Sequence, residues 1–420
     1  MMEKKRRIVF IDQVRALAVT MMLVGHSLDR FLADAWKMTD AYRNYQFVRG
    51  LSSALFLTVA GFSLVISSFG RMADYTHLSE RMRGRIRRIS YILFLGMVLQ
   101  IPSATLSGML QVTDPIRWER FVSFNVLQNI GCGLALLHLI LFLTRTTKRF
   151  AATVGICAIA IFALASITYR PEFDAALPFF LRGAFNLFHF SRFPLVPLTA
   201  FIFVGALFGV AYWQAKETPT EKWIFAAAAA TGTLLIIFEQ LIRGGMFGGL
   251  YPYATFDPFT PGNTFARLGC ALLIICIFYL GNQFKVILAG PALTMSRESL
   301  AIYFIHLLIV YGNAHMKGIF SSMAHRMTLF QAGLFAVGLI AAMYGMAKGL
   351  GYMRNRHPTM LVDVRRSILI GGGLMFLFLS HLHTAGVIAC LLAAFAFTYR
   401  RPLTHRLPSI GRTVKKVTEK

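Results

Sequence analysis

Apolar residues run along this chain in stretches of roughly 17 to 22, the length that crosses about 30 Å of hydrocarbon. Twelve can be drawn, near residues 10–30, 47–68, 89–107, 121–143, 151–168, 193–213, 223–242, 265–282, 298–314, 328–347, 367–380 and 384–399. The polar blocks between them do not exceed roughly 25 residues, too few to close a core of their own. A backbone in lipid must satisfy its own hydrogen bonds, which helices do. The pattern therefore predicts an all-α polytopic membrane protein of about twelve transmembrane helices. Ten of them make a membrane domain over residues 1–348. A basic loop, two additional helices and a basic tail over 349–420 make an appendage.

Composition agrees with that class: 56% of the 420 residues are hydrophobic and 15% charged, outside the usual range of soluble domains. The net charge of +25 would suit a nucleic-acid partner only if it were gathered into a patch. Instead the 43 basic residues are spread over short loops, as topology and anionic lipid headgroups require, so membrane lipids are the expected contact and nucleic acid is not. The segments "KKRR", "RMADYTHLSERMRGRIRR", "TRTTKRF", "QAKETPTEK" and "AKGLGYMRNRHPTMLVDVRR" and the C-terminal tail fall on one side. Positively charged loops stay in the cytoplasm, so both termini are expected inside. Asp12 and Arg15 interrupt the start of the first span and no small-residue cleavage site follows it, so it reads as a permanent helix. Cys132, Cys157, Cys270, Cys276 and Cys390 lie in apolar runs without CxxC spacing, which suggests neither disulfides nor a zinc site, and no metal is expected.

The chemistry sits in the spans. An ionisable group at mid-membrane costs about 2.5 to 3.5 kcal/mol on insertion scales and faces the bundle interior. In "VRALAVTMMLVGHSLDR" positions 12, 15, 19, 22 and 26 share a helical face. Asp12 and Arg15 are spaced to pair. Arg15 and His26 lie three turns and about 16 Å apart along one stripe. Interfacial anchoring would account for either residue alone. The second span begins with Arg49 and continues "SSALFLTVAGFSLVISS", a small-residue face suited to close packing. In "FNVLQNIG" Asn125, Gln128 and Asn129 present a polar face, with His138 further along. "ESLAIYFIHLLIVYG" adds Glu298, Tyr303 and His306. On the inner loop Arg81, Arg85 and Arg88 share a face, and their guanidinium forks suit phosphate.

These residues resemble a family. "FIDQVRALAVTMMLVGH", "LFLTVAGFSLVIS", "RIRRISYILFLG", "FNVLQNIG", "FPLVPLTAFIFVGALFG" and "SLAIYFIHLLIVY", in that order over about residues 8–345, are similar to bacterial relatives of heparan-alpha-glucosaminide N-acetyltransferase. The wider group is the transmembrane acyltransferases that modify cell-envelope sugars. The sharpest elements are Arg15 followed after ten residues by His26, and R-x-x-R at Arg85 and Arg88. Between Asp29 and Tyr75 there is no His, so at this position the chain is nearer the envelope O-acyltransferases than the lysosomal enzymes.

The resemblance implies acyl transfer from cytoplasmic acetyl-CoA, the donor substrate, to a hydroxyl or amine of an extracytoplasmic glycan or lipid-linked sugar, in a bacterial inner membrane. It implies that His26 is the catalytic histidine and that Arg85 and Arg88 bind the coenzyme; Arg15 and Asp12 on the stripe of His26 and Arg81 on the face of Arg85 and Arg88 are the further candidates for those two roles. A neutral imidazole suits a general base, or a nucleophile that forms an acyl-imidazole. Asn125, Gln128 and Tyr303 are candidate oxyanion donors. His306 is a substrate candidate, as are the ring of Trp36 and, with weaker grounds, Trp118, Tyr251, Tyr253, His189 and Arg192. The competing reading is a transporter or flippase for a small polar or lipid-linked substrate.

Overall fold

The computed structural model describes residues 7–246, 261–283, 289–312, 318 and 320–378, and the regular elements among them are helical. Helices α1 (Val9–Phe31) and α3 (Asp40–Ser68) are joined by the short α2 (Asp34–Lys37), and the Thr39 hydroxyl accepts from the Tyr42 amide to start α3. Ser79 starts α4 (Glu80–Val98) in the same way. The short α5 (Leu106–Leu110) and α6 (Pro115–Val122) lead to α7 (Val126–Thr144), which begins in a reciprocal capping box made by Asn125 and Gln128. Such side chains satisfy amides that a first turn leaves unbonded. Next come α8 (Thr147–Thr168), the short α9 (Pro171–Ala176) and α10 (Phe179–Phe185), then α11 (Leu195–Ala215), α12 (Glu221–Arg243) and α13 (Phe265–Gln283). The described chain ends with α14 (Ala289–Arg297), α15 (Ser299–Val310), α16 (Leu329–Arg356) and α17 (Pro358–Phe378).

Against the twelve expected spans, eight helices among the described residues are long and apolar enough to cross a membrane, or nine if the bent pair Gly290–Arg297 and Ser299–Val310 is one span broken by 72°. The shortfall has physical causes. Helix α4 carries Glu80, Arg81, Arg83, Arg85, Arg87 and Arg88 in its first nine residues, so only its second half is apolar. Helix α17 carries Asp363, Arg365 and Arg366. The expected span at 384–399, with Cys390, lies outside the described residues, as do Tyr251 and Tyr253.

The chain divides into two compact units, residues 1–102 with 113–349, and residues 103–112 with 350–420. In the second, α5 lies against α17. In the first, α3 and α11 pack backbone to backbone. A Cβ on Gly61 would stand 1.8 Å from the Ile202 carbonyl oxygen, and one on Gly205 would stand 1.9 Å from that of Thr58. Only glycine allows this approach, which van der Waals packing rewards where water is absent.

Helix α1 is gripped on two sides. At its N-terminal end Phe10 meets Phe62, Tyr212, Phe225 and Tyr279 edge to face. Along another flank Val19, Leu23 and Phe31 pack with Ile302 of α15 and with Leu339 and Met343 of α16. The remaining stripe, with Arg15 and His26, is left to face polar partners and open space.

Candidate functional site

Arg15 is fixed from three directions. Its Nη1 donates to Asp12 Oδ1 at 3.4 Å and to Ser296 Oγ at 3.0 Å, while Nη2 donates to Ser63 Oγ at 2.7 Å. Ser296 donates in turn to Asp12 Oδ1 at 2.6 Å. The expected pair of Asp12 and Arg15 thus exists, and it ties α1 to α3 and α14. Beside it Arg85 Nη2 donates to Ser67 Oγ at 2.6 Å, with its guanidinium 5.9 Å from the Tyr75 ring centre. Arg7, Arg15, Arg85 and Arg88 line one cavity of about 530 Å³. Its other walls are serine and apolar: Ser63, Ser67, Ile89, Ile130 and Leu134, with His138 and Ser299. This arrangement can hold a polyanion at one end and a thin apolar chain at the other.

A second, smaller chamber of about 90 Å³ is lined by His26, Gln46, Arg49, Ser52, Ser53 and Phe193. Phe56, Val126 and Tyr303 line both cavities, so the arginine cavity and the His26 chamber share a wall made of these three side chains. Two arginines pack over glycines of the chamber wall: Arg49, itself a lining residue, lies over Gly25 and Arg267 over Gly50, where an added Cβ would come within 3.0 and 2.4 Å. Arg267 is buried on α13, 5.4 Å from the Phe47 ring centre.

The His26 ring is held rather than loose. Its Nδ1 lies 3.0 Å from the Tyr311 hydroxyl, and Tyr311 donates to Asp29 Oδ2 at 3.3 Å. Asp29 also accepts from Arg49 at 3.2 Å and from Tyr42 at 3.4 Å. The His306 ring lies 5.2 Å from that of His26.

Sequence reasoning did not single out Tyr311 or Asp29. Asp29 had a readable signal, since it lies one turn beyond His26 on the same helix. Tyr311 did not, because only the ends of α1 and α15 meeting in space bring it there.

The other nominated residues are dispersed. Asn125 and Gln128 cap α7, and Asn125 also donates to Gly96 O at 2.9 Å and Gln100 Oε1 at 2.6 Å. Neither lines the two cavities; Val126 between them does. Asn129 holds the carbonyls of Phe193 and Pro194, and so sets the chamber wall. His306 is fully buried and gives its Nδ1 proton to Ile302 O at 2.8 Å. Arg81 pairs with Asp74, away from the Arg85 and Arg88 cavity. Trp36 stands exposed on α2 and lines neither cavity. Among the described residues no group of three or more His, Cys, Asp or Glu could hold a metal ion.

On the His26 side, His189 bridges two carboxylates. Its Nε2 lies 2.7 Å from Asp174 Oδ2, and its Nδ1 bonds Glu119. Burial alone would lower the imidazole pKa, but the bonds to Asp174 and Glu119 outweigh it and raise the group above its ordinary 6.5. Burial would likewise raise Asp174. Its bonds from Asn186 and His189 prevail, and it lies below its ordinary 3.8.

A raised histidine stabilises the fold fully below the unfolded value and loses that contribution as pH climbs through the folded one; a lowered carboxylate does the reverse on acidification. The cluster should therefore tie α6, α9 and the 186–192 segment together best between these limits. Thermal melts should show greater stability at about pH 5.5 than at about pH 8.5, and His189→Gln should flatten that difference. An unchanged pH slope in the variant would show that the bridge carries no net charge interaction.

The family described as heparan-alpha-glucosaminide N-acetyltransferase, catalytic, matches residues 7–239. That span holds the α1 stripe, the α3 wall and the α4 arginines, and it stops before α15, which supplies Tyr303 and His306. No curated protein matches the chain. With more than half its length matched and helices fit to cross a membrane, the chain is an integral membrane protein of the heparan-alpha-glucosaminide N-acetyltransferase family, whose activity is acetyl transfer.

Proposed function

We propose that this protein moves an acetyl group from cytoplasmic acetyl-CoA to a hydroxyl or amine of a glycan or lipid-linked sugar on the opposite face of a bacterial inner membrane. The observation that carries the reading is the wall of Phe56, Val126 and Tyr303 that the two cavities share, with four arginines on one side and His26 on the other. The cytoplasmic assignment of the arginine end follows from the positive-inside rule.

In this reading Arg85, Arg88, Arg7 and Arg15 hold the coenzyme phosphates. The apolar walls of α7 and α4 sheathe its pantetheine arm, and the thioester lies at the Phe56 and Tyr303 constriction. His26 takes the proton of the acceptor hydroxyl through Nε2 as the acceptor oxygen bonds the thioester carbon. The C–S bond then breaks, and the departing sulfur receives that proton back from the imidazolium. Tyr303 and Arg49 at the chamber wall are the donors nearest to where the oxyanion develops.

The test is a proteoliposome assay with radiolabelled acetyl-CoA on the arginine face and an amino-sugar or neutral oligosaccharide on the other. Label on the sugar with matching release of CoA thiol is expected. Acetyl-CoA that stays intact with every sugar supplied would overturn the proposal. Solute crossing the vesicle without thioester consumption would favour transport instead.

A further inference from the structure

The chamber gives His26 a reason to be more than a base of the right type: it must also be the right tautomer. A neutral imidazole has one proton and one lone pair, and which nitrogen holds which is set by the partner of the other nitrogen. Here that partner is the Tyr311 hydroxyl, 3.0 Å from Nδ1, with the two rings edge to face at 89°. We propose that Tyr311, oriented by Asp29, is a positioning residue that fixes His26 with its proton on Nδ1 and its lone pair on Nε2, turned toward the chamber; this rests on the acyl-transfer reading above.

The direction of the chain of bonds follows from what each group can do. Asp29 accepts only, and it lies 3.3 Å from the Tyr311 oxygen. Tyr311 has one proton to give. If it gave that proton to His26, its oxygen lone pairs would face the Asp29 carboxylate, two acceptors in contact with no hydrogen between them. If it gives the proton to Asp29, its oxygen can accept from Nδ1–H and both contacts are bonds. Arg49 donates to Asp29 Oδ2 at 3.2 Å and holds the carboxylate in place. Tyr42 holds its other oxygen.

The backbone supports the placement. Asp29 is three residues past His26 on α1, so the two share a face. Helix α15 ends at Tyr311 because Gly312 adopts φ +76°, a conformation glycine enters freely, and returns its amide to Leu307 O at 3.2 Å and Leu308 O at 3.1 Å. Tyr311 is thereby held at the end of a helix whose other residues, Tyr303 and His306, pack beside the chamber and the His26 ring.

The tautomer can be read directly by ¹⁵N NMR of histidine-labelled protein in nanodiscs, with the His26 signals assigned by their loss in His26→Gln. A protonated Nδ1 and a lone-pair Nε2 are expected at neutral pH. A protonated Nε2 in the unmodified protein would overturn the proposal, whether or not the protein transfers acetyl groups. Tyr311→Phe keeps the ring and removes only the hydroxyl. It should abolish the fixed Nδ1–H signature and lower kcat on the order of a hundredfold, with KM for acetyl-CoA unchanged, since supporting bonds to a reacting histidine typically matter on that scale. A Tyr311→Phe protein with full kcat, or one whose kcat falls while His26 keeps its tautomer, would also overturn it. An unmodified protein with the expected tautomer and no transfer to any sugar would count against the acyl-transfer reading instead.

Discussion

Replacing His26 with alanine is expected to cut acetyl transfer by roughly a thousandfold while leaving a folded, detergent-stable protein. A positioned base contributes about 10² to 10⁴ in rate, and the chamber has no substitute at that place. His306 is the nearest imidazole, 5.2 Å away, but it is fully buried, gives its Nδ1 proton to Ile302 and does not line the chamber.

The structural loss is small by comparison. Among the described residues the His26 side chain bonds Tyr311, a contact worth about 1 kcal/mol net, and its loss leaves the two apolar flanks of α1 untouched. The melting temperature should therefore move little while turnover collapses. His306→Gln is the matched control: it disturbs a buried neighbour and should retain most of the activity. A His26→Ala protein that transfers acetyl at the original rate would remove the histidine from the chemistry, and an alanine variant that fails to fold would make the ring a packing element.

What the chain revealed before folding, and what it hid, divides along a physical line. The α1 stripe was legible because a 3.6-residue period puts Asp12, Arg15 and His26 on one face, and lipid makes ionisable groups there conspicuous. The small-residue face of α3 was legible in the same way, and its Gly61 makes the close approach to Ile202 of α11. Asn125 and Gln128 were nominated as oxyanion donors for their polar face, although N-x-x-Q ahead of an apolar run is also the spacing of a capping box. The structure spends both side chains on the first turn of α7.

Apolar stretches that carry charge at one end, as in α4, do not stand among the eight helices of the described residues that are long and apolar enough to cross a membrane. The His26, Tyr311 and Asp29 chain was hidden for another reason: Tyr311 lies 285 residues from His26, and no local pattern reports such a meeting. The buried Arg267 was visible as a charge within a span, but its position over Gly50 and against Phe47 belongs to the packing of α13 on α3.

The arginine cavity makes the second large prediction. Arg85→Ala combined with Arg88→Ala is expected to raise KM for acetyl-CoA by about tenfold to a hundredfold with little change in kcat. A charge-assisted hydrogen bond is worth about 1.5 to 3 kcal/mol, each 1.4 kcal/mol is a factor of ten, and the lower range applies here because Arg88 is exposed and Arg85 is half-buried. Folding should tolerate the change. Arg85 donates to Ser67 Oγ, and both arginines lie on the charged first half of α4, away from the α3 and α11 contact. Arg81→Ala is the internal comparison, since Arg81 is spent on Asp74 and should leave KM near its original value.

The discriminating substrate is acetyl-pantetheine, which keeps the thioester and the arm but lacks the nucleotide phosphates. If the arginines act on phosphate, the double variant and the original protein should use it equally well, and the original protein's advantage with acetyl-CoA should shrink as salt screens the exposed Arg88 and, less strongly, the half-buried Arg85. Equal KM values for acetyl-CoA in both proteins would return Arg85 and Arg88 to the role of holding α4 at the membrane surface. A loss seen equally with both substrates would mean that the arginines shape the channel rather than grip the coenzyme.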